Sequence, residues 1–363
     1  MNVYVFLGPS LPAARAREVL DAHYLSPVTC GDVTDLVLDR DPPAAIGIVD
    51  GYFEQVPTVW HKEILFAISR GVRVYGASSM GALRAAELSA FGMQGVGRVF
   101  EGFASGEYTD DDEVAIVHAG AEDCYRPLSE AMVNLRAGLA DAAAAGVIGP
   151  TTHDRLVAVA KDTHYPDRSW PRLLADGRDL GLPADELDGL REHVRRVRPD
   201  VKRADALALV ERVRDDLAAG LPPVELTFDL EPTFYWEKLL AVVREERAAR
   251  RVGEVLGGSA DMLLRYLAEH LPHVLDTALG RVLARREASR LGLVDADDNP
   301  LESDEAIHRV LVRRLSGALV GPALSLLEAE GRVDSVRAAL ATYDPAGAPA
   351  EAGTAPLPAG RRE

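Results

Sequence analysis

Cysteine is nearly missing from this chain: two residues, Cys30 and Cys124, among 363. Two thiols build no disulfide framework, and no Cys-x-x-Cys pair offers zinc spacing. Positive charge is also short, with 40 Lys and Arg against 57 Asp and Glu, a formal charge of −17. That balance excludes free-standing nucleic-acid binding, which needs a positive field to meet phosphates. No apolar run reaches the ~18 residues of a membrane-spanning helix. The start, Met1-Asn2-Val3-Tyr4, opens directly on strand-forming residues without a basic or apolar leader, so a cytoplasmic protein without membrane attachment is expected. A dinucleotide-binding glycine fingerprint is absent too, and no cofactor is expected. The acidic run Asp110-Asp111-Asp112-Glu113 has oxygen ligands suited to Mg²⁺, but charge runs are ordinarily solvated loops, and no metal site is assigned.

What remains is ordinary globular material, 47% hydrophobic and 27% charged, enough for one large or two ordinary domains. The first part alternates strand and helix signals. Short β-forming runs appear at Val3–Leu7, Ala45–Val49, Val72–Tyr75 and Glu113–His118. Between them lie helical patterns: one from Leu11-Pro12 with Ser10 as its cap, one after Pro57-Thr58 with Ile64, Leu65 and Ile68 on one face, and one after Gly81. A long helix is expected over 127–145. Strands separated by helices of this length imply βαβ units, parallel pairing and right-handed crossovers. Residues 1–148 therefore read as an open, mostly parallel α/β sheet of the flavodoxin or Rossmann type, with helices on both faces. From about 149 to 343 strand signals vanish, and Asp205–Leu217, Phe234–Arg250, Ala260–Leu271 and Glu305–Leu327 read as helices of a second, mostly α-helical domain. Residues 344–363 are rich in Ala, Pro and Gly and read as a disordered tail.

Ligands of an open parallel sheet sit beyond the carboxyl ends of its strands. There the sharpest feature is Tyr75-Gly76-Ala77-Ser78-Ser79-Met80-Gly81-Ala82, a strand running into a helix. Ser79 has small residues two before and two after, Ala77 and Gly81, as a nucleophile elbow requires. Ser78 fits less well because Met80 stands at its +2 position. The backbone N–H of Met80 would face an oxyanion. A serine at this place also serves as a plain helix cap, and the turn alone does not choose. A serine nucleophile needs a base. His61, in the first turn of the helix after the second strand, and His118, closing the fourth strand signal, both belong to that edge. Asp50, ending the second strand, is expected to orient a histidine or to occupy a turn with Gly51. Gly8-Pro9-Ser10 offers backbone amides to an anion, one fewer for the proline. Arg191, Arg195, Arg196, Arg198, Lys202 and Arg203 form a basic stretch that reads as a solvated helix face or a docking strip.

Several of these segments carry a family resemblance. Phe6-Leu7-Gly8-Pro9-Ser10-Leu11, Asp50-Gly51-Tyr52-Phe53, Trp60-His61-Lys62-Glu63-Ile64-Leu65, the stretch from Gly76 to Leu88, Phe91-Gly92-Met93-Gln94-Gly95-Val96-Gly97 and Asp111-Asp112-Glu113-Val114-Ala115 follow one another in an order that resembles the TfuA-like proteins over residues 1–140. The resemblance implies a partner in peptide modification. TfuA-like proteins act beside YcaO-type ATP-dependent enzymes that make backbone thioamides, and are associated with hydrolysis of a thiocarboxylated ThiS-like sulfur carrier. On that expectation Ser79, His61, His118 and Asp50 are catalytic, and Gly8, Ser10, Gly51, Ser78, Met80 and Arg84 meet the substrate. The YcaO enzyme and the carrier are the expected partners, with the precursor peptide reached indirectly. Arg84 is expected either at the carrier's terminal charge or in a salt bridge to Glu87. A non-catalytic adaptor that docks the YcaO enzyme and its peptide is the competing expectation. Neither the modified peptide nor the oligomeric state is legible.

Overall fold

The computed structural model describes residues 2–290 and 316–343, except Arg40, Gln55 and Pro222. The chain divides into two compact units, Met1–Trp236 and Glu237–Glu363.

The first unit is built on five parallel strands: β1 (Val3–Phe6), β2 (His23–Leu25), β3 (Ala45–Ile48), β4 (Arg73–Ala77) and β5 (Gln94–Val96). Their order is β2-β1-β3-β4-β5, which reverses direction between β1 and β3 and leaves the crevice of a doubly wound sheet there. Its helices are α1 (Ala13–Arg17), α2 (Asp32–Val37), α3 (His61–Ser69), α4 (Met80–Leu88), α5 (Arg98–Ser105), α6 (Met132–Ala144), α7 (Pro150–Asp162), α8 (Trp170–Asp179), α9 (Ala184–Val197) and α10 (Val201–Ala219). β3 is buried along its whole length, which is why Ala45-Ile46-Gly47-Ile48 reads as an unbroken apolar run rather than an alternation.

α10 covers one face of this sheet. Ala206, Leu209, Val210 and Val213 pack into one core with the alternating residues Val3, Val5 and Leu7, and with Tyr75 and Ala77. A Cβ on Gly47 would lie 2.9 Å from Leu209 Cδ2, so the glycine is what lets α10 lie close over β3. Two polar ties hold the helix in place. Asp205 accepts the N–H groups of Arg98 (3.0 Å) and Val99 (2.7 Å) at the start of α5, and the Tyr75 hydroxyl donates to Asp216 at 2.8 Å. The boundary expected at 148 therefore falls inside the first unit. Helical periodicity tells that Asp205–Leu217 has an apolar face but not that a sheet is what the face meets.

Two local expectations are corrected. Glu113–His118 is not a strand: Asp111–Glu113 is a turn of 3₁₀ helix, and an isolated bridge pairs His118 with Pro127. The short strands β2 and β5, three residues each, carried no periodicity to find. Ser10 does not cap α1, whose N-cap is Pro12.

The second unit holds most of α11 (Phe234–Leu256), with α12 (Ala260–His270), α13 (Pro272–Arg290), α14 (Ser316–Ala329) and α15 (Val333–Leu340). Its core gathers Leu256, Leu263, Leu267, Leu275, Leu319 and Leu327, among others. The expected tail at 344–363 and the expected helical stretch 305–315 lie outside the described residues. Among the described residues no helix is long and apolar enough to cross a membrane.

Candidate active site

The site grows from the strand ends at the β1/β3 crevice. Asp50 follows β3 and is buried. Its carboxylate receives the N–H of Gly8 at 2.8 Å, the N–H of Ser10 at 3.1 Å and the Ser10 hydroxyl at 2.6 Å. The Gly8-Pro9-Ser10 loop is thus turned onto an internal anion. Those are the amides that were expected to meet an external one.

The β4–α4 turn is strained. Ser78 has φ +68°, and the Ser79 N–H reaches back to Ala77 O at 2.8 Å, closing a three-residue turn of positive φ that L-residues adopt at a cost. The Ser78 hydroxyl is buried without a hydrogen-bond partner. The turn is close to other backbone as well, since a Cβ on Gly81 would meet Ile48 O at 1.7 Å. Ser79 stands at the N-cap position of α4, but its side chain makes no capping bond, and its φ and ψ are −123° and −122°. The structure gives its hydroxyl another partner.

That partner is Lys202. The second residue of α10 is buried, and its Nζ donates to Ser79 Oγ at 3.1 Å and to Val114 O at 2.8 Å. Burial pushes the Lys202 amine below the usual lysine range, while the charges of Asp50, Asp200 and Glu130 oppose that shift. Asn134 fixes the entry of α10, accepting the Lys202 N–H at 3.2 Å and donating to Glu130 at 2.9 Å. A serine bonded to a buried lysine is one of the recurring alternatives to a serine–histidine pair.

Ser79, Lys202, Asp50, Gly51 and His118 line one cavity of about 50 Å³, walled further by Pro9, Val114, Ile116 and Val117 and by Tyr52, Phe53 and Tyr165. The last three also line a wider groove of about 270 Å³ that includes Met80, Leu83, Arg84 and Glu87. His118 packs between Tyr52 and Tyr125, each ring centroid 5.7 Å away. Tyr125 donates to Ser26 Oγ and Tyr165 to Glu54 Oε2, so separate loops are tied together around the opening. Of the five non-glycine residues with positive φ among the described residues, Glu54, Ser78, Cys124 and Tyr125 belong to this rim or turn, and Arg198 ends α9.

His61 and Arg84 do not line the small cavity, although Arg84 lines the wider groove. His61 is half exposed, and its Nε2 sits 2.7 Å from Glu87 Oε2, with Arg84 Nη1 on the same oxygen at 2.7 Å. Arg84 also donates from Nε to Val59 O. The structure thus pairs Arg84 with Glu87, the salt-bridge arrangement, and gives His61 no bond to Ser79. The Asp110–Glu113 run is consumed by cations. Lys161 reaches Asp110, Asp112 and Glu113, Arg136 forks onto Glu113, and the buried Arg168 grips both the carbonyl and the carboxylate of Asp112. Cys30 is a closed thiol, pushed up to about 12 by burial and by Glu63 beside it.

Sequence reading missed Lys202 because it stood in a basic stretch. One signal was there: Lys202 precedes Ala206, Leu209 and Val213 at helical spacing, on the face that is buried.

Residues 50–169 match the family model described as TfuA-like protein. The match begins at Asp50 and ends at Ser169, short of Lys202. That family is associated with thioamide biosynthesis and, in general, with YcaO enzymes as partners. No curated protein matches the chain.

Proposed function

We propose that this chain, TfuA-like over residues 50–169, hydrolyses the thiocarboxylate that ends a ThiS-like sulfur carrier and so supplies sulfide to a YcaO-type enzyme for backbone thioamide formation. The observation that carries this reading is the Lys202 Nζ–Ser79 Oγ contact of 3.1 Å at the wall of a small cavity. A hydroxyl of ordinary acidity is a poor nucleophile until a neutral base takes its proton. Burial favours the neutral amine, and Asp50 steadies the ammonium that forms, much as a carboxylate steadies imidazolium in a serine–histidine–aspartate triad.

The chemistry balances as an acyl transfer. Ser79 Oγ adds to the thiocarboxyl carbon while its proton passes to Lys202. Lys202 then protonates the sulfur, the C–S bond breaks, and hydrosulfide leaves an ester on Ser79. Water later cleaves that ester to the carrier carboxylate. The N–H of Met80, at the first turn of α4, is the donor this reading assigns to the oxyanion. The small cavity suits a chain end without a bulky side chain, and the adjoining groove suits the extended segment behind it.

The test is direct. Purified protein incubated with thiocarboxylated carrier should release sulfide and free carboxylate in equal amounts, and Ser79→Ala should abolish both while the carrier still binds. Wild-type release from Ser79→Ala would remove the serine from the chemistry. If thioamidation in a reconstituted system still requires the protein when free sulfide replaces the carrier, the adaptor role is the better account.

A further inference from the structure

Resting on that reading, we infer that the two halves of the reaction use two different bases: Lys202 serves Ser79, and His118 activates the water that releases the acyl group. The geometry of each base points to its task. Lys202 Nζ is held between Ser79 Oγ at 3.1 Å and Val114 O at 2.8 Å, which aligns it with the serine oxygen. Once Ser79 is esterified that oxygen has no proton left to give, and the amine stays tethered to it.

His118 lines the same cavity, with its two ring nitrogens differently occupied. Its Nδ1 lies 2.8 Å from Ala119 O. A carbonyl oxygen only accepts, so Nδ1 carries the proton in this contact, and in the neutral ring Nε2 is the acceptor. The ring is held from its flanks by Tyr52 and Tyr125. The charged and titratable groups facing this space are Asp50, Lys202, Tyr52, Tyr125 and Tyr165. Among the described residues none of them is hydrogen-bonded to the imidazole. His118 is partly exposed, whereas Lys202 is buried.

In the second half, His118 Nε2 takes one proton from water and the resulting hydroxide adds to the ester carbonyl. The C–O bond to Ser79 breaks, the serine oxygen recovers the proton held by His118, and the product carboxyl loses its own proton to solvent. Over both halves thiocarboxylate and water give carboxylate, hydrosulfide and one proton.

Rapid-quench measurement of sulfide with intact-mass analysis separates the halves. His118→Gln should keep a burst of one sulfide per enzyme at the wild-type rate, then turn over about 10²-fold more slowly, the scale of a lost acid–base group. The carrier should accumulate as an ester on Ser79, and added imidazole should restore turnover. His118→Asn provides the same comparison should the glutamine variant fold poorly. Wild-type turnover in both variants, or a burst slowed in proportion to turnover with no ester accumulating, overturns the assignment. A wild-type enzyme that releases sulfide without ever esterifying Ser79 would instead overturn the proposed nucleophile, a distinct failure seen before any His118 variant is made.

Discussion

Lys202 bonds Ser79 across 123 positions of sequence, joining the β4–α4 turn to the first turn of α10. The contact exists because α10 packs along the sheet through Ala206, Leu209, Val210 and Val213, which places its amino end over the strand ends. The proposed catalytic pair is thus a product of how a helix covers a sheet.

Lys202 should set the pH profile. Its folded-state pKa is lowered by burial, so the active neutral amine appears below the ~10.4 of free lysine. The rate should rise as pH rises through the lowered value and then level off. Lys202→Arg, which stays protonated, should cost on the order of 10² to 10⁴ in rate on the high-pH plateau and lose the rising limb. Stability follows the same sign. The unfolded chain holds more protons than the folded one between the lowered value and ~10.4, so this group makes stability fall as pH falls through that window. Urea unfolding of Lys202→Met across the window should show a flatter dependence.

Asp50→Asn should weaken fold and activity together. It removes an anion that receives three donors and sets the charge facing Lys202. Leaving buried N–H groups poorly matched costs about 1–3 kcal/mol. Denaturant midpoints should fall accordingly, and the rising limb of the pH profile should move to lower pH because the ammonium loses a supporting charge.

His61→Ala should leave sulfide release within about 0.5 kcal/mol of wild type in barrier, the usual range for surface changes. Its ring meets Glu87 on a half-exposed face, where ion pairs contribute ~0–1 kcal/mol. Steady-state kinetics on the carrier decide this; a loss of 10² or more would return a base role to His61.

Ser78→Gly should raise stability. Glycine accepts φ +68° without penalty and removes the buried hydroxyl that has no partner. Strain of this kind costs about 1–3 kcal/mol, partly offset by the greater freedom of an unfolded glycine, so a net gain of about 1 kcal/mol is expected. Calorimetry of the single variant measures it.

Arg168→Met should fail to hold the rim. The side chain is buried and satisfies acceptors on Ala160, Thr163 and Asp112. Leaving a buried acceptor without its donor costs about 1–3 kcal/mol. Cooperative unfolding should shift far to lower denaturant, with the segment after Glu113 becoming accessible to protease.

Much of the fold was open to reading in one dimension. Apolar runs such as Ala45–Ile48 and the Arg70-Gly71 stop after α3 are local signals, because strand burial and helix termination depend on neighbours in sequence. So was the serine turn with its small neighbours, and so was the placement of Asp50 at a strand end. The edge strands β2 and β5 escaped because three residues carry no period.

The sequence by itself determined the α/β layering of the first unit, the helical character of the chain beyond it, and the TfuA-like run that includes Ser79. Only the tertiary structure decided which base stands beside Ser79. His61 and Lys202 are each one polar residue at the start of a helix, and the apolar spacing that follows each does not choose between them. Packing separates them: α3 presents His61 to a half-exposed carboxylate, while α10 presses Lys202 under the β4–α4 turn. A polar group forced out of water by an apolar helix face must find partners inside the protein, and the serine hydroxyl and the Val114 carbonyl are the ones it found.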